Sequence, residues 1–200
     1  MTDEPRVFAT AEDFADWLDE HHHSASSIWL AMPKKGTGAA SVTRAQALDI
    51  ALCFGWIDGQ TSSARAPEGW WAQRFTPRRP RSAWSRINRD RAEELIAAGH
   101  MRPAGLEHVQ RAKADGRWEA AYEPPSTARV PDDLQAALDA DPAAARAYAA
   151  LDKRGKYHIL YSLQKVKRPR TRAHKIADYA ARLAAGDPPR PPPRKKPEGG

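Results

Sequence analysis

The stretch TRAQALDIALCFGWIDG, residues 43–59, decides how this chain is read. Thr43, with Gln46 three residues on, forms a capping box that starts a helix, and Gly55 is the residue type that stops one. Between them the run from Ala45 to Phe54 is apolar around most of its circumference. A helix without a clear polar face is buried on several sides, so residues 44–54 are predicted to be the central core element. After the stop, Trp56-Ile57 begins an extended run, a turn-rich stretch crosses Pro67 to Gly69, and Trp70, Trp71 and Phe75 follow. The simplest reading is a hairpin or small sheet edge packed on that helix.

Upstream, Val7 to Thr10 reads as a short strand. Thr10 caps a helix over 11–20 whose Phe14, Trp17 and Leu18 share a face, and Ser27 to Met32 is a second strand stopped by Pro33. Downstream the pattern is helical. Ser82 or Ser85 caps a helix to Ala98 with Trp84, Ile87, Ala92 and Leu95 inward, and Pro103 opens the next, closed by Gly116. Pro124, Pro125 and Pro131 mark a connector, after which one helix follows Pro131 and another runs from Asp141-Pro142 to Leu151. Two more, over about 156–166 and 172–185, flank Pro169, the second burying Ile176, Tyr179, Ala180 and Leu183. The expected fold is α+β: a small N-terminal β-sheet packed on a central apolar helix, then a helical C-terminal half. One domain is expected over 1–186, with an α+β part at 1–81 and a helical part at 82–186. Residues 187–200 hold six Pro and are expected to form a disordered basic tail.

Composition supports a folded chain. Leu, Ile, Val and Phe total only 28 of 200 residues, but seven Trp and 38 Ala supply core and helix. The net charge of +7 permits a polyanionic partner without demanding one. Cys53 is the single cysteine, which rules out an intramolecular disulfide and a Cys-rich zinc site. No apolar run approaches the roughly 20 residues that span a bilayer, and the opening MTDEPRVF is acidic where a signal peptide is basic. A cytoplasmic protein without membrane insertion is expected. Charge is segregated: residues 1–20 carry seven acids and one Arg, 74–91 carry seven Arg with only Asp90, and 153–175 carry nine Lys or Arg and no acid.

Two segments offer site chemistry. Asp58, between Ile57 and Gly59, is read either as a general base or ligand anchor in a pocket, or as a turn acceptor or an ion-pair partner of Arg74 or Arg78. Arg74, Thr76, Arg78, Ser82, Trp84, Ser85 and Asn88 mix guanidinium forks, hydroxyls and aromatic planes near a helix start, which describes an anion site. The competing reading is a solvated Arg face with Trp84 in the core. Lys34 and Lys35 lie just past a strand end and could approach the same place. The ligand-binding set is thus Lys35, Trp56, Asp58, Arg74, Thr76, Arg78, Ser82, Trp84, Ser85 and Asn88, with a small anionic molecule as the expected ligand. Gly36-Thr37-Gly38 lacks the rest of a phosphate-loop or dinucleotide fingerprint and reads as a plain turn. Cys53 reads as a buried, inert thiol. His21-His22-His23 cannot converge on one metal, since neighbours on a helix point about 100° apart. No metal and no cofactor are expected, and no catalytic set is identified. Nucleic-acid binding through 153–175, where Tyr157, His158, Tyr161 and His174 interleave the cations, is the alternative function; Tyr157 and Tyr161 would equally serve a helix core face. An enzyme with Asp58 as general base is the second alternative.

ALCFGWIDG at 51–59, RFTPRRPRSAWSRIN at 74–88, GHMRPAG at 99–105 and RAKADGRW at 111–118 resemble, in order and spacing, the YdeI/OmpD-associated or bacteriocin-protection family. KRPRTRAHKI at 167–176 adds a weaker C-terminal likeness, in which Arg170 stands where the family commonly carries an acid. The resemblance implies a stress or antimicrobial-peptide tolerance role and assigns no reaction. Its porin partner is not carried over to this chain.

Overall fold

The computed structural model describes residues 4–189. Most of the expected tail, 187–200, lies outside them. The chain divides into two compact units, 1–121 and 122–200.

Unit 1 contains α1 (Ala11–His21), β1 (Ile28–Pro33), α2 (Arg44–Cys53), β2 (Trp56–Ser62), β3 (Trp70–Pro77), α3 (Arg86–Ala97) and α4 (Pro103–Ala114). Thr10 and Thr43 cap α1 and α2 as expected; the predicted capping box of Thr43 with Gln46 is present, and Thr10 forms a second one with Asp13. The three strands form one antiparallel sheet in the order β1-β3-β2, so the expected hairpin is present and its second strand is central. In the register, Ile28 faces Phe75 and Leu30 faces Gln73. A bulge interrupts β2 between Asp58 and Thr61. The buried Gln73 fills it, its Nε2 donating to Gly59 O at 3.1 Å and Gln60 O at 3.2 Å. Phe14 of α1 meets Phe75 of β3 at 5.8 Å between ring centroids, while α2 contacts α1, β2, α3 and α4. The helix that opened the sequence reading is the hub of this unit.

Close backbone approach completes the hub. Gly55 adopts φ +73°, and a Cβ there would stand 2.7 Å from His108 Cδ2. A Cβ on Gly105 would lie 2.3 Å from Cys53 O, so α4 can rest on the end of α2 only through a hydrogen. Arg102 N donates to Cys53 O at 3.1 Å and Arg78 N to Gly55 O at 2.9 Å, which satisfies carbonyls that the end of α2 leaves open.

Two expectations are corrected. Residues 7–10 form no strand. Only Arg6 reaches the edge of β1, as an isolated parallel bridge to Leu30, before Phe8 turns in against Phe14 and Trp17 to feed α1. Ile87 points to solvent at 52 % exposure. The inward stripe of α3 runs through Asn88, Ala92 and Leu95, and its neighbour in sequence is rotated about 100° away. Trp84, Ala92, Leu95, Val109 and Trp118 share one core with the sheet and α2, so the first unit extends to Ala121.

Unit 2 contains α5 (Asp132–Asp139), α6 (Pro142–Ala150), α7 (Lys153–Gln164) and α8 (Pro169–Ala184). The last two start about three residues earlier than expected, because Asp152 caps α7 and Pro169 occupies the first turn of α8. Its core joins Leu134, Leu138, Tyr148, Ile159, Leu163, Ile176, Tyr179 and Leu183. Arg172 clamps three helices, with Nε and Nη2 on the Asp133 carboxylate at 2.5 and 2.9 Å and Nη1 on Leu163 O at 2.8 Å. Arg172 holds the Asp133 carboxyl below its ordinary range. The fold is α+β with a helical C-terminal half, as the sequence predicts.

Candidate functional site

Five of the ten sequence-predicted site residues gather around the start of α3, and they turn inward. The Arg78 guanidinium lies over the Trp84 ring, 3.7 Å from Cζ to the centroid, and its Nη2 donates to Ala83 O at 2.8 Å. Trp84 meets Trp118 edge-on at 4.8 Å, and Trp118 Nε1 donates to Glu93 at 3.0 Å. Ser82 offers its carbonyl to Arg117 at 2.7 Å, and Ser85 Oγ accepts from Asn88 N at 3.3 Å to cap α3. Arg78, Trp84, Ser85 and Asn88 are all buried. Their side chains hold the chain between β3 and α3.

The other five are dispersed. Trp56 is 1 % exposed, donates from Nε1 to His22 O at 3.3 Å and meets Trp17 edge-on. Asp58 pairs with Arg44 at 2.8 Å rather than with Arg74 or Arg78. Arg74 donates to Ser27 Oγ at 3.1 Å, Thr76 stands opposite Ile57 in the sheet, and Lys35 is exposed in the turn after β1. The His run is spent locally, with His21 and His22 donating from Nδ1 to Trp17 O and Leu18 O. Among the described residues no three metal-ligating side chains converge.

A different set encloses space. A groove of about 510 Å³ opens between α1, α2, α3 and the turn into α4. Ile50, Phe54 and Leu95 give it an apolar floor, and Asp49, Arg91, His100 and Arg102 give it a polar rim. Asp49 holds Arg91 with two bonds of 2.7 Å each, and Arg91 also reaches Glu94. The hydrogen bonds that it donates to these two carboxylates push the Arg91 pKa above its ordinary value. Arg91 therefore stays charged, and its charge is matched by the two carboxylates. Arg102 is exposed, lies 5.8 Å from the Phe54 ring and has no ion-pair partner among the described residues. Cys53 lines the groove, but burial, then the Asp49 charge, pushes its thiol up to about 11. Its thiolate is scarce at neutral pH. Under native conditions at pH 8 we expect iodoacetamide to modify Cys53 at least tenfold more slowly than in denaturant, measured by intact mass against time. Equal rates would mean that the thiol is open and ionisable.

None of the ten predicted residues lines this groove. One signal for it was available in the sequence. Asp49 is the single acid on an apolar helix, and a carboxylate there demands a cation. Which of the seven Arg between 74 and 91 would answer it was not readable, because the partner comes from another helix.

Residues 6–108, just over half of the chain, match the family described as a domain of unknown function, DUF8412. The chain belongs to the DUF8412 family. The DUF8412 stretch runs from the β1-edge bridge into α4 and contains every residue of the groove. Residues 127–186 match a second family, described as bacteriocin-protection, YdeI or OmpD-associated, and these cover all four helices of unit 2. The resemblance at 167–176 falls inside that second match, whereas the motifs at 51–59, 74–88 and 99–105 fall inside the DUF8412 match and 111–118 lies between the two. No curated protein and no solved structure matches the chain. Among the described residues no helix is long and apolar enough to cross a membrane.

Proposed function

We propose that the DUF8412 unit binds a small, partly apolar anion in the groove, and that the protein acts in the cytoplasm in stress or antimicrobial tolerance of the kind named by the family that matches unit 2. The observation that carries the ligand reading is the pairing of an apolar floor with one cation left over. Asp49 and Glu94 consume Arg91, so Arg102 is the guanidinium on the rim that can meet an incoming carboxylate, sulfonate or phosphate. Phe54, Ile50 and Leu95 would take the apolar part, and His100 and Gln46 stand at the rim to accept or donate hydrogen bonds. The anionic ligand expected from the sequence is thereby assigned to a different wall of the same unit.

The test is thermal shift against aromatic carboxylates, short fatty acids, alkyl sulfonates and nucleoside monophosphates, with wild type and Arg102→Ala side by side. A ligand at about 100 times its Kd stabilises by about 2.7 kcal/mol, a rise of several degrees. Wild type should show that rise and Arg102→Ala should lose most of it. A ligand that stabilises both proteins equally would remove Arg102 from the site, and no stabilisation by any of the four classes would remove the anion.

A further inference from the structure

We infer that the turn joining α7 to α8 is a docking surface for the phosphate backbone of nucleic acid, held without base contacts. It lies in unit 2 and is independent of the ligand groove in unit 1. Lys165, Lys167, Arg168 and Arg170 fall within six consecutive residues, and all four are exposed. None of them has an ion-pair partner among the described residues. Two other arginines of this unit are matched to acids, Arg172 to Asp133 and Arg182 to Asp187. Four adjacent unmatched cations repel one another and add nothing to the core, so their clustering is a cost to the fold that a polyanion would relieve. Positive charge from both α7 and α8 reaches His158. Burial first, and then the Lys175 and Arg154 charges, hold His158 below its ordinary pKa.

The aromatic residues of this segment define how such a surface recognises its partner. Tyr157 and Tyr161 stack on each other at 5.7 Å, Tyr122 meets Tyr161 edge-on at 5.0 Å, and Lys165 Nζ sits 4.1 Å from the Tyr161 centroid. Tyr157 is tethered further through its hydroxyl, which donates to Glu123 O at 3.1 Å. These rings are occupied by one another and by a lysine, so they are not platforms for bases. Contact is therefore with phosphates, insensitive to sequence.

Other acidic partners fit less well. The exposed large hydrophobics among the described residues are Val7 and Ile87, both in unit 1, and Val166 within the patch is half-buried, so the patch has no fully exposed apolar side chain to insert into a lipid surface. The apolar residues of α8, Ile176, Tyr179 and Leu183, are buried. A specific protein partner usually needs a large aromatic or aliphatic anchor, and the half-buried Val166 is a poor one. A row of phosphates needs only a row of cations.

The experiment is fluorescence anisotropy of the full chain with a labelled duplex of about 20 base pairs between about 50 and 200 mM salt. Wild type should bind at the low end with an affinity that falls linearly on a log–log plot. The triple variant Lys167→Gln/Arg168→Gln/Arg170→Gln should bind at least tenfold more weakly at about 50 mM salt, its slope shallower by about three, since each phosphate contact contributes about 0.9. Arg168→Gln alone should reduce the slope by about one and serves if the triple variant misfolds. Arg102→Ala should leave this binding unchanged, which keeps the two readings separable. Three results would each overturn the inference: no wild-type binding at about 50 mM salt, a slope indifferent to these substitutions, or tighter binding to phosphatidylserine vesicles or polyglutamate at matched anionic charge.

Discussion

Replacing Trp84 by Ala is expected to remove about 3–5 kcal/mol of unfolding free energy, enough to lower the urea midpoint severely or to leave no folded baseline. Trp84 is 2 % exposed and is gripped from both sides, by the Arg78 guanidinium on its face and the Trp118 ring at its edge. Truncation would open a cavity the size of an indole. It would also strip the cation–π partner from a buried guanidinium, which makes the loss larger than the apolar area alone. Chemical denaturation followed by tryptophan fluorescence and circular dichroism measures it. A loss under about 1 kcal/mol would mean that Trp84 packs loosely enough to serve as a pocket wall after all. As the structure stands, Trp84→Ala reports on folding and cannot be used to probe ligand binding.

Gly105→Ala should destabilise by about 2–3 kcal/mol, although Ala is the better helix former by about 1 kcal/mol. Two terms oppose each other here, and geometry decides between them. The new methyl would stand 2.3 Å from Cys53 O and 2.8 Å from Leu52 O, both backbone atoms that cannot rotate away. The third neighbour, Met101 Cε at 2.8 Å, is the far end of a flexible side chain and yields cheaply. The helix must then lift off the end of α2, stretching the Arg102 N to Cys53 O bond. Because Cys53, Phe54 and Arg102 all line the groove, the same lift would deform it. Thermal or urea unfolding checks the sign. Stabilisation by about 1 kcal/mol, the propensity value alone, would show that α4 does not make this approach.

Legibility tracked how local the physics was. The Thr10 cap, the Thr43–Gln46 capping box, the Asp141 cap and the proline at the first turn of α4 were legible because each is an interaction within four residues, whereas the Asp152 cap of α7 was missed. The burial of Cys53 followed from its place on an apolar helix, and the structure agrees. Ile87 was misjudged because Trp84, Ile87 and Leu95 are compatible with one helical stripe only if the helix begins before Trp84. It begins at Arg86, and the stripe that packs is shifted by one residue. Val7 to Thr10 has strand-like composition, yet a strand needs a neighbour along its whole length, and β1 offers its edge to Arg6 alone.

The candidate site shows the same divide more sharply. Residue types that mark an anion site were identified at 74–88, but type does not reveal direction. Arg78 and Trp84 satisfied each other in the interior. The rim of the groove draws Asp49 from α2, Arg91 from α3 and Arg102 from the turn into α4, separated by up to 53 positions and related by no spacing rule.

By itself, then, the sequence determined the helices, most of their caps and stops, the β2–β3 hairpin, the central role of residues 44–54 and the α+β class. Each of these rests on periodicity, backbone preference or a hydrogen bond that closes within one turn. Tertiary structure alone decided the division after Ala121, the inward turn of the arginine–tryptophan segment and the position of the groove. Those depend on which buried charge found which partner and on how closely two backbones could approach, and such pairings are chosen by the packed core rather than by neighbouring residues.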